Sequence, residues 1–232
     1  MKKFFSFNLK KWKTSKKGCN NKIIIVDKDN NEKVITNCKS ISGLKITLIG
    51  KNNTVKLHKP FRCLNGSHIE INSTNAFVEI GKDCHIENVH MRLKFGYSQN
   101  LKIGDRTTIY GGAIVLDEDS CACIGSDCLM ASGFEVWGSD GHCIIDIENQ
   151  KLLNRAQDPV IIGDHCWFGL NCAVLKGTNI PKNCVIGMKS VLVGTYEEEN
   201  VVICGAPGKI IKHGINWSSE SPLYYKPPQE RF

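Results

Sequence analysis

The sequence predicts an all-β chain wound into a solenoid of hexapeptide repeats, on three observations. Large apolar residues recur every six positions at Ile162, Phe168, Val174, Ile180, Ile186 and Leu192. Gly163, Gly169 and Gly187 follow three of them directly, and a small residue (Cys166, Cys172, Thr178, Cys184, Ser190) stands four places after each of the first five. The same pattern returns upstream at Ile80-Gly81, Ile103-Gly104 and Ile124-Gly125, with Cys84, Thr107 and Cys128 four places on. A short fixed period is the mark of units that stack. Three units complete one coil of eighteen residues: the large side chain fills the interior of a triangular prism, and the small one fits where the chain bends at its edge. Each added coil lengthens the sheets by about 4.8 Å.

Residues 1–20 read as a basic arm. The first seventeen carry seven lysines and no acid, and the chain's formal net charge is +7, so the remainder balances at 23 basic and 23 acidic residues. The basicity is a property of the arm and not of the solenoid, which offers no footprint for a nucleic acid. Phe4, Phe5, Phe7 and Trp12 would give such an arm shallow anchors on an anionic membrane surface, and a solvated tail has the same composition. Its apolar stretch is too short and broken for a signal-peptide core, and no later run would span a bilayer. The expected location is cytoplasmic, with peripheral contact at the inner face of the membrane as the further option.

Residues 21–204 read as one solenoid domain, with irregular early coils over 21–100 and regular coils over 101–204. Strand-like segments such as Ile23-Ile24-Ile25-Val26 and Leu44 to Ile49 are punctuated there by Asn, Asp and Gly. The period lapses once, over residues 140–160. A coil cannot absorb some twenty extra residues, so they must leave as a loop, and loops of that length are mostly functional. His142 stands at its root. Residues 205–232 follow the last repeat, with a short helix expected around Lys209 to His213 and then a Pro-rich tail. The two ends are suited to capping the terminal coils. Of twelve cysteines, Cys84, Cys128, Cys166, Cys172 and Cys184 occupy the small-residue position, where their role is volume. There is no C-x-x-C pair, and Cys121-x-Cys123 lacks a partner set, so the thiols are expected to stay reduced and no metal is expected.

Three motifs in order carry a resemblance: Ser139-Asp140-Gly141-His142 before the looped insertion, Val160 to Gly169 containing Trp167-Phe168-Gly169, and Gly205-Ala206-Pro207-Gly208-Lys209. They resemble the hexapeptide-repeat acyltransferases, and among these the sugar and polysaccharide O-acetyltransferases. The likeness covers residues 80–212 well and 40–80 weakly. It implies a left-handed parallel β-helix, where the general crossover rule would give the opposite hand. It further implies a homotrimer with active sites between subunits, and transfer from acetyl-CoA to a sugar hydroxyl. The acceptor would be a cell-surface glycan or its precursor: sialic acid, capsule or lipopolysaccharide.

Acyl transfer from a thioester to an alcohol needs a base for the hydroxyl proton, and a histidine titrates close to working pH. His142 combines the loop root, a neighbouring carboxylate and the motif. Asp140 either orients that imidazole or serves the turn. Trp167 precedes the inward Phe168 and should face out; the resemblance sets it beside the reaction centre, where its N–H is a fixed donor and its face a platform for a sugar. Gly169 and Gly187 would let the pantetheine arm approach the backbone, or act only as the tight residue of the repeat. Gly205, Ala206, Pro207 and Lys209, with Lys189 and Lys176 behind, are the candidates for the rest of coenzyme A. Gly208 replaces the usual alanine and is expected to loosen that loop. Two rival activities remain. One is N-acetylation of an amino sugar or sugar nucleotide by the same base. The other is a zinc hydratase of the carbonic-anhydrase type using His85-x4-His90; it would need a third imidazole, for which His58 and His68 are out of step.

Overall fold

The computed structural model of the chain describes residues 15–35 and 41–227. Three sheets form the faces of a prism: two of eight strands and one of seven. Successive segments visit them in turn, as Val89–Tyr97, Asn100–Ile103 and Thr108–Ile109 before Gly112–Asp117 returns to the first sheet. The pairing between coils is parallel throughout, and the fold is a left-handed parallel β-helix.

The period explains the interior. Ile162, Phe168 and Val174 lie on the second, third and first sheets in succession, and Ile180, Ile186 and Leu192 repeat the order. Each is buried to 1% exposure or less. On the first sheet the register runs Ile46, Ile69, Met91, Ile114, Val136, Val174, Leu192, a continuous stack of side chains touching like with like. Phe134 and Phe168 meet edge to face at 5.1 Å inside it.

The corners follow from backbone sterics. Asp83, Arg106, Asp127, His165, Asn183 and Asn200 all adopt the left-handed conformation, with φ between 55° and 62°. The next residue in each case, from Cys84 to Val201, turns into the prism and is at most 2% exposed. Val201 fills that angle in the last of the six, and a small residue fills it in the other five. Volume is half of its role: Cys84, Cys128 and Cys166 also donate to carbonyls of the next coil at 3.1, 3.2 and 3.2 Å, and the Thr107 hydroxyl does the same at 2.8 Å. Burial pushes the Cys84 thiol up to about 11, in keeping with an inert structural cysteine. The Ile-Gly step has a steric cause as well. A Cβ on Gly125 would lie 2.6 Å from the backbone of Gly163 in the next coil.

Three features depart from expectation. The coil of eighteen residues, as between Ala173 and Val191, is confined to the stretch after the loop. Upstream, Lys45 pairs with His68, His68 with His90 and Gly112 with Phe134, twenty-two or twenty-three positions on. First-sheet strands there run to nine residues instead of two or three, which lengthens one side of the prism. Second, the segment expected as a helix is a strand, Gly208–Lys212, folded back antiparallel on Val202–Gly205. The apolar side chains of Val202 to Ile203 and the free edge of the third sheet favour a hairpin that a helix could not replace. Third, strand Ser15–Lys17 already pairs with Thr47 to Ile49, so the solenoid begins inside the expected arm. The arm's Phe4, Phe5, Phe7 and Trp12 lie outside the described residues. Antiparallel hairpins cover an edge at each end, Lys22–Val26 with Glu32–Ile35 and Val202–Gly205 with Gly208–Lys212.

Candidate active site

Between Trp137 and Val160 the chain leaves the coil and folds on itself. Ile145 and Leu152 bridge antiparallel, and Asp146 Oδ1 accepts the amides of Glu148 and Asn149 at 3.0 and 2.9 Å. The root is closed by Asn154. Its amide donates to Asp140 Oδ2 at 2.7 Å and to the His142 carbonyl at 2.8 Å, while its Oδ1 accepts the Ile144 amide at 2.8 Å. The backbone of His142 is thereby pinned. Its imidazole is exposed and makes no hydrogen bond within the described residues, and His142 lines a cavity of about 350 Å³. Glu118, Asp119 and Arg155 line that cavity with it.

The expected contact of Asp140 with the His142 ring is not formed. Asp140 is held by the Lys176 ammonium, which reaches in from the next coil and also donates to the Asn154 carbonyl at 2.8 Å. The Lys176 ammonium, and after it the Asn154 amide, keep the Asp140 carboxyl below the usual carboxylate range. Asp140 therefore fastens the loop root to the coil. Lys176 is correspondingly taken out of the set for coenzyme A phosphates, since its charge is already paired. Because the folded-state pKa is depressed, this clamp is fully present above the unfolded value, near 3.9, and is lost as pH falls through the folded value. Hydrogen exchange of residues 140–156, corrected for intrinsic rates, should therefore hold steady from pH 8 to 5 and rise only below about pH 4. In Lys176→Met it should be fast throughout. A change of protection between pH 8 and 5 in the wild type would contradict the clamp.

Trp167 faces out from the third sheet, 41% exposed, as the register requires. The tail returns to it. Trp217 tilts against Trp167 at 6.0 Å, stacks on His165 at 4.5 Å, and donates its indole N–H to the His165 carbonyl at 2.7 Å. Asn200 ties the same segment to the last coil through the Ile215 amide and carbonyl. A cavity of about 540 Å³ opens between Trp167, Trp217, Pro222 and Tyr225. Sequence reading missed Trp217, Asn154 and Arg155. Only Trp217 carried a signal, as the one tryptophan of the tail.

The remaining predicted residues converge on one corner. Ser190 Oγ donates to the Gly187 carbonyl at 2.6 Å and accepts the Gly205 amide at 3.1 Å, and the Lys189 amide donates to the Leu170 carbonyl at 2.8 Å. Gly169, Gly187, Lys189 and the Gly205–Lys209 hairpin are thus neighbours. Ala206-Pro207 forms the tip, with a cis bond between them. Lys189 and Lys209 are exposed and carry no ion pair among the described residues, so both ammoniums remain available to phosphate. The two glycines are demanded by the solenoid itself: a Cβ would lie 2.8 Å from the Met188 amide at Gly169 and 2.2 Å from Cys204 Sγ at Gly187. Gly208 does not loosen its loop. A Cβ there would meet Leu192 and Tyr196 at 2.9 Å, and the Tyr196 hydroxyl donates to its carbonyl at 3.0 Å.

Two groups of predicted residues are not united within one chain. The cavity at His142 is not lined by Trp167, and the cavity at Trp167 is not lined by His142. Nor do the two histidines of the zinc alternative meet. His85 lies on the third sheet and His90 on the first, where it stacks in register on His68 at 5.1 Å, so His68 is in step after all.

Known proteins share the sequence pattern and the fold. A family model described as the hexapeptide repeat of succinyl-transferase matches residues 159–194. A polysialic acid O-acetyltransferase of Neisseria meningitidis is 34% identical over 206 residues, covering 88% of this chain and 94% of the relative. The crystal structure of the polysialic acid O-acetyltransferase OatWY superposes with a TM-score of 0.76 at 31% identity, covering 94% and 96% of the two chains. That of the polySia specific acetyltransferase NeuO gives 0.77 at 25% identity, covering 93% and 92%. With its repeat, its extruded histidine loop and a relative matched along nearly its whole length, the chain belongs to the hexapeptide-repeat sugar O-acetyltransferases, enzymes whose acyl donor is a coenzyme A thioester.

Proposed function

We propose that this enzyme moves the acetyl group of acetyl-CoA to a hydroxyl of sialic acid in a capsular polysaccharide. The observation that carries the acceptor is the identity to the meningococcal enzyme, which at 88% of the chain takes in both the loop and the coils beneath it. His142 is the general base. As the sugar oxygen attacks the thioester carbon, the imidazole takes its proton; on collapse of the tetrahedral oxyanion it returns that proton to the departing sulfur. The Trp167 indole N–H and a backbone amide of the Gly169 to Gly187 corner serve the developing oxyanion. Lys189 and Lys209 hold the phosphates of the donor, and no step needs a metal.

The site is completed by a second copy of the chain. The loop exposes Ile144, Ile145, Ile147, Leu152 and Leu153, an apolar set that a neighbouring prism would cover. A cyclic homotrimer closes three such contacts with no free edge and brings His142 of one subunit to Trp167 of the next. The reaction belongs to the cytoplasm, where the donor is made, and the lysine-rich arm draws the trimer toward anionic surfaces.

The test is transfer from acetyl-CoA, followed as free thiol, against polysialic acid, sialic acid, other acidic and neutral glycans and amino sugars. Sialosides should release thiol, and the product should be an ester cleaved by mild base. A base-stable acetamide as the sole product would establish N-acetylation instead. Turnover with another glycan and none with any sialoside would overturn the acceptor.

A further inference from the structure

Outside the acyl-transfer site, one group of side chains has the donor types and the placement of a metal centre. Cys63, His85 and Glu87 bring a sulfur, an imidazole nitrogen and a carboxylate oxygen within 4.8 Å of one another. The fold places them deliberately. Cys63 and His85 occupy the same register in adjacent coils, joined by a parallel bridge in which the Ile86 amide donates to the Cys63 carbonyl at 2.8 Å. His85 and Glu87 flank the fully buried Ile86, so by the alternation of a strand both point outward on the third sheet.

The distances suit a tetrahedral ion. Ligand atoms about 2.1 Å from zinc at tetrahedral angles stand about 3.4 Å apart. His85 Nε2 and Glu87 Oε2 are separated by 3.4 Å, long for a hydrogen bond and correct for two ligands of one ion. The His85 ring is steadied by Tyr110 at 5.1 Å, and the Asn65 backbone amide donates to Cys63 Sγ at 3.5 Å. All three ligands are partly exposed, which leaves an entry path and a fourth position for water. A thiolate and a carboxylate together balance a divalent charge, and the mixed sulfur, nitrogen and oxygen set favours zinc over magnesium or calcium.

The other cluster of this kind among the described residues, His68 with Glu70 and His90, lacks these properties. Its two rings are parallel to within 7°, so their lone pairs do not converge, and Glu70 is already engaged by Lys94 at 3.0 Å. We propose that Cys63, His85 and Glu87 bind one zinc ion per chain. On binding, the Cys63 thiol gives up its proton to solvent as the Zn–S bond forms, with no change of oxidation state. The ion ties the coil at residue 63 to the next at residue 85, where the third sheet begins: its first strand is laddered on one side to Thr108 and Ile109 and has only the single bridge to Cys63 on the other.

The test uses the full-length protein, freed of metal and kept under reductant. Zinc is titrated against a chromophoric chelator and cobalt(II) serves as an optical probe. Expected are one ion per chain, a four-coordinate cobalt spectrum with a thiolate charge-transfer band, and a higher melting temperature with zinc than without. Cys63→Ser should remove the charge-transfer band, and both it and Glu87→Gln should weaken zinc by at least about tenfold. Metal-free circular dichroism of both variants should match the metal-free wild type, showing that they fold. His68→Ala should bind zinc normally. No bound ion, binding unchanged in Cys63→Ser and Glu87→Gln, or binding lost in His68→Ala would each overturn the site.

Discussion

His142→Ala is expected to lose about 10²–10⁴-fold in turnover at saturating acetyl-CoA, the usual cost of removing a general base. The structure makes this substitution clean. The imidazole makes no hydrogen bond to the described residues, and it is the His142 carbonyl, not the ring, that Asn154 holds at 2.8 Å. Truncation should leave the loop in place and remove only the proton acceptor. Donor affinity should therefore change little, so that kcat and kcat/KM fall together. His90→Ala and His213→Ala, outside the cavity at His142 and paired with Glu70 and Glu198, should stay within a few-fold of wild type. Steady-state kinetics with acetyl-CoA varied at fixed acceptor checks all three. An active His142→Ala enzyme would remove the base from the scheme.

Much of this was legible in the chain, for identifiable reasons. The six-residue period survives wherever each face of the prism is two or three residues wide, so the coils after Val160 announce themselves. It fades upstream because first-sheet strands such as Val89–Tyr97 widen one face, and the repeat then has no single period to detect. The small residues at the corners were visible; their hydrogen bonds to the next coil were not, because those partners lie some fifteen to forty positions away. The hairpin at Gly208–Lys212 was misread as helix because its partner is a sheet edge rather than a local pattern.

The site divides along the same line. His142 and Trp167 could be found because one sits at the break in the period and the other at a fixed offset from an inward residue. The partner of Asp140 could not. Lys176 is 36 positions along the chain, and only stacking of one coil on the next brings it to the loop root. Trp217 is likewise 52 positions from His165, and a polar tail gives no hint that it folds back along the sheet.

Trp167→Ala is the second change expected to disable the enzyme. It removes the outward indole against which Trp217 rests and with it the proposed donor to the oxyanion; loss of one such donor costs about 10²–10³-fold in turnover. Core packing should survive, since the inward residue of that strand is Phe168 and is untouched. Melting temperature should shift little, which separates a catalytic loss from a folding one.

The two variants together test the shared site. If His142 of one subunit works with Trp167 of its neighbour, mixed trimers contain interfaces where both residues are intact. Random exchange of equal amounts of inactive His142→Ala and inactive Trp167→Ala chains should return about a quarter of wild-type activity, because one interface in four pairs the two intact residues. Native mass spectrometry of the mixture establishes that the subunits have exchanged. Recovery near that level is the predicted result; no recovery in proven mixed trimers, or full activity in an isolated wild-type monomer, would contradict it.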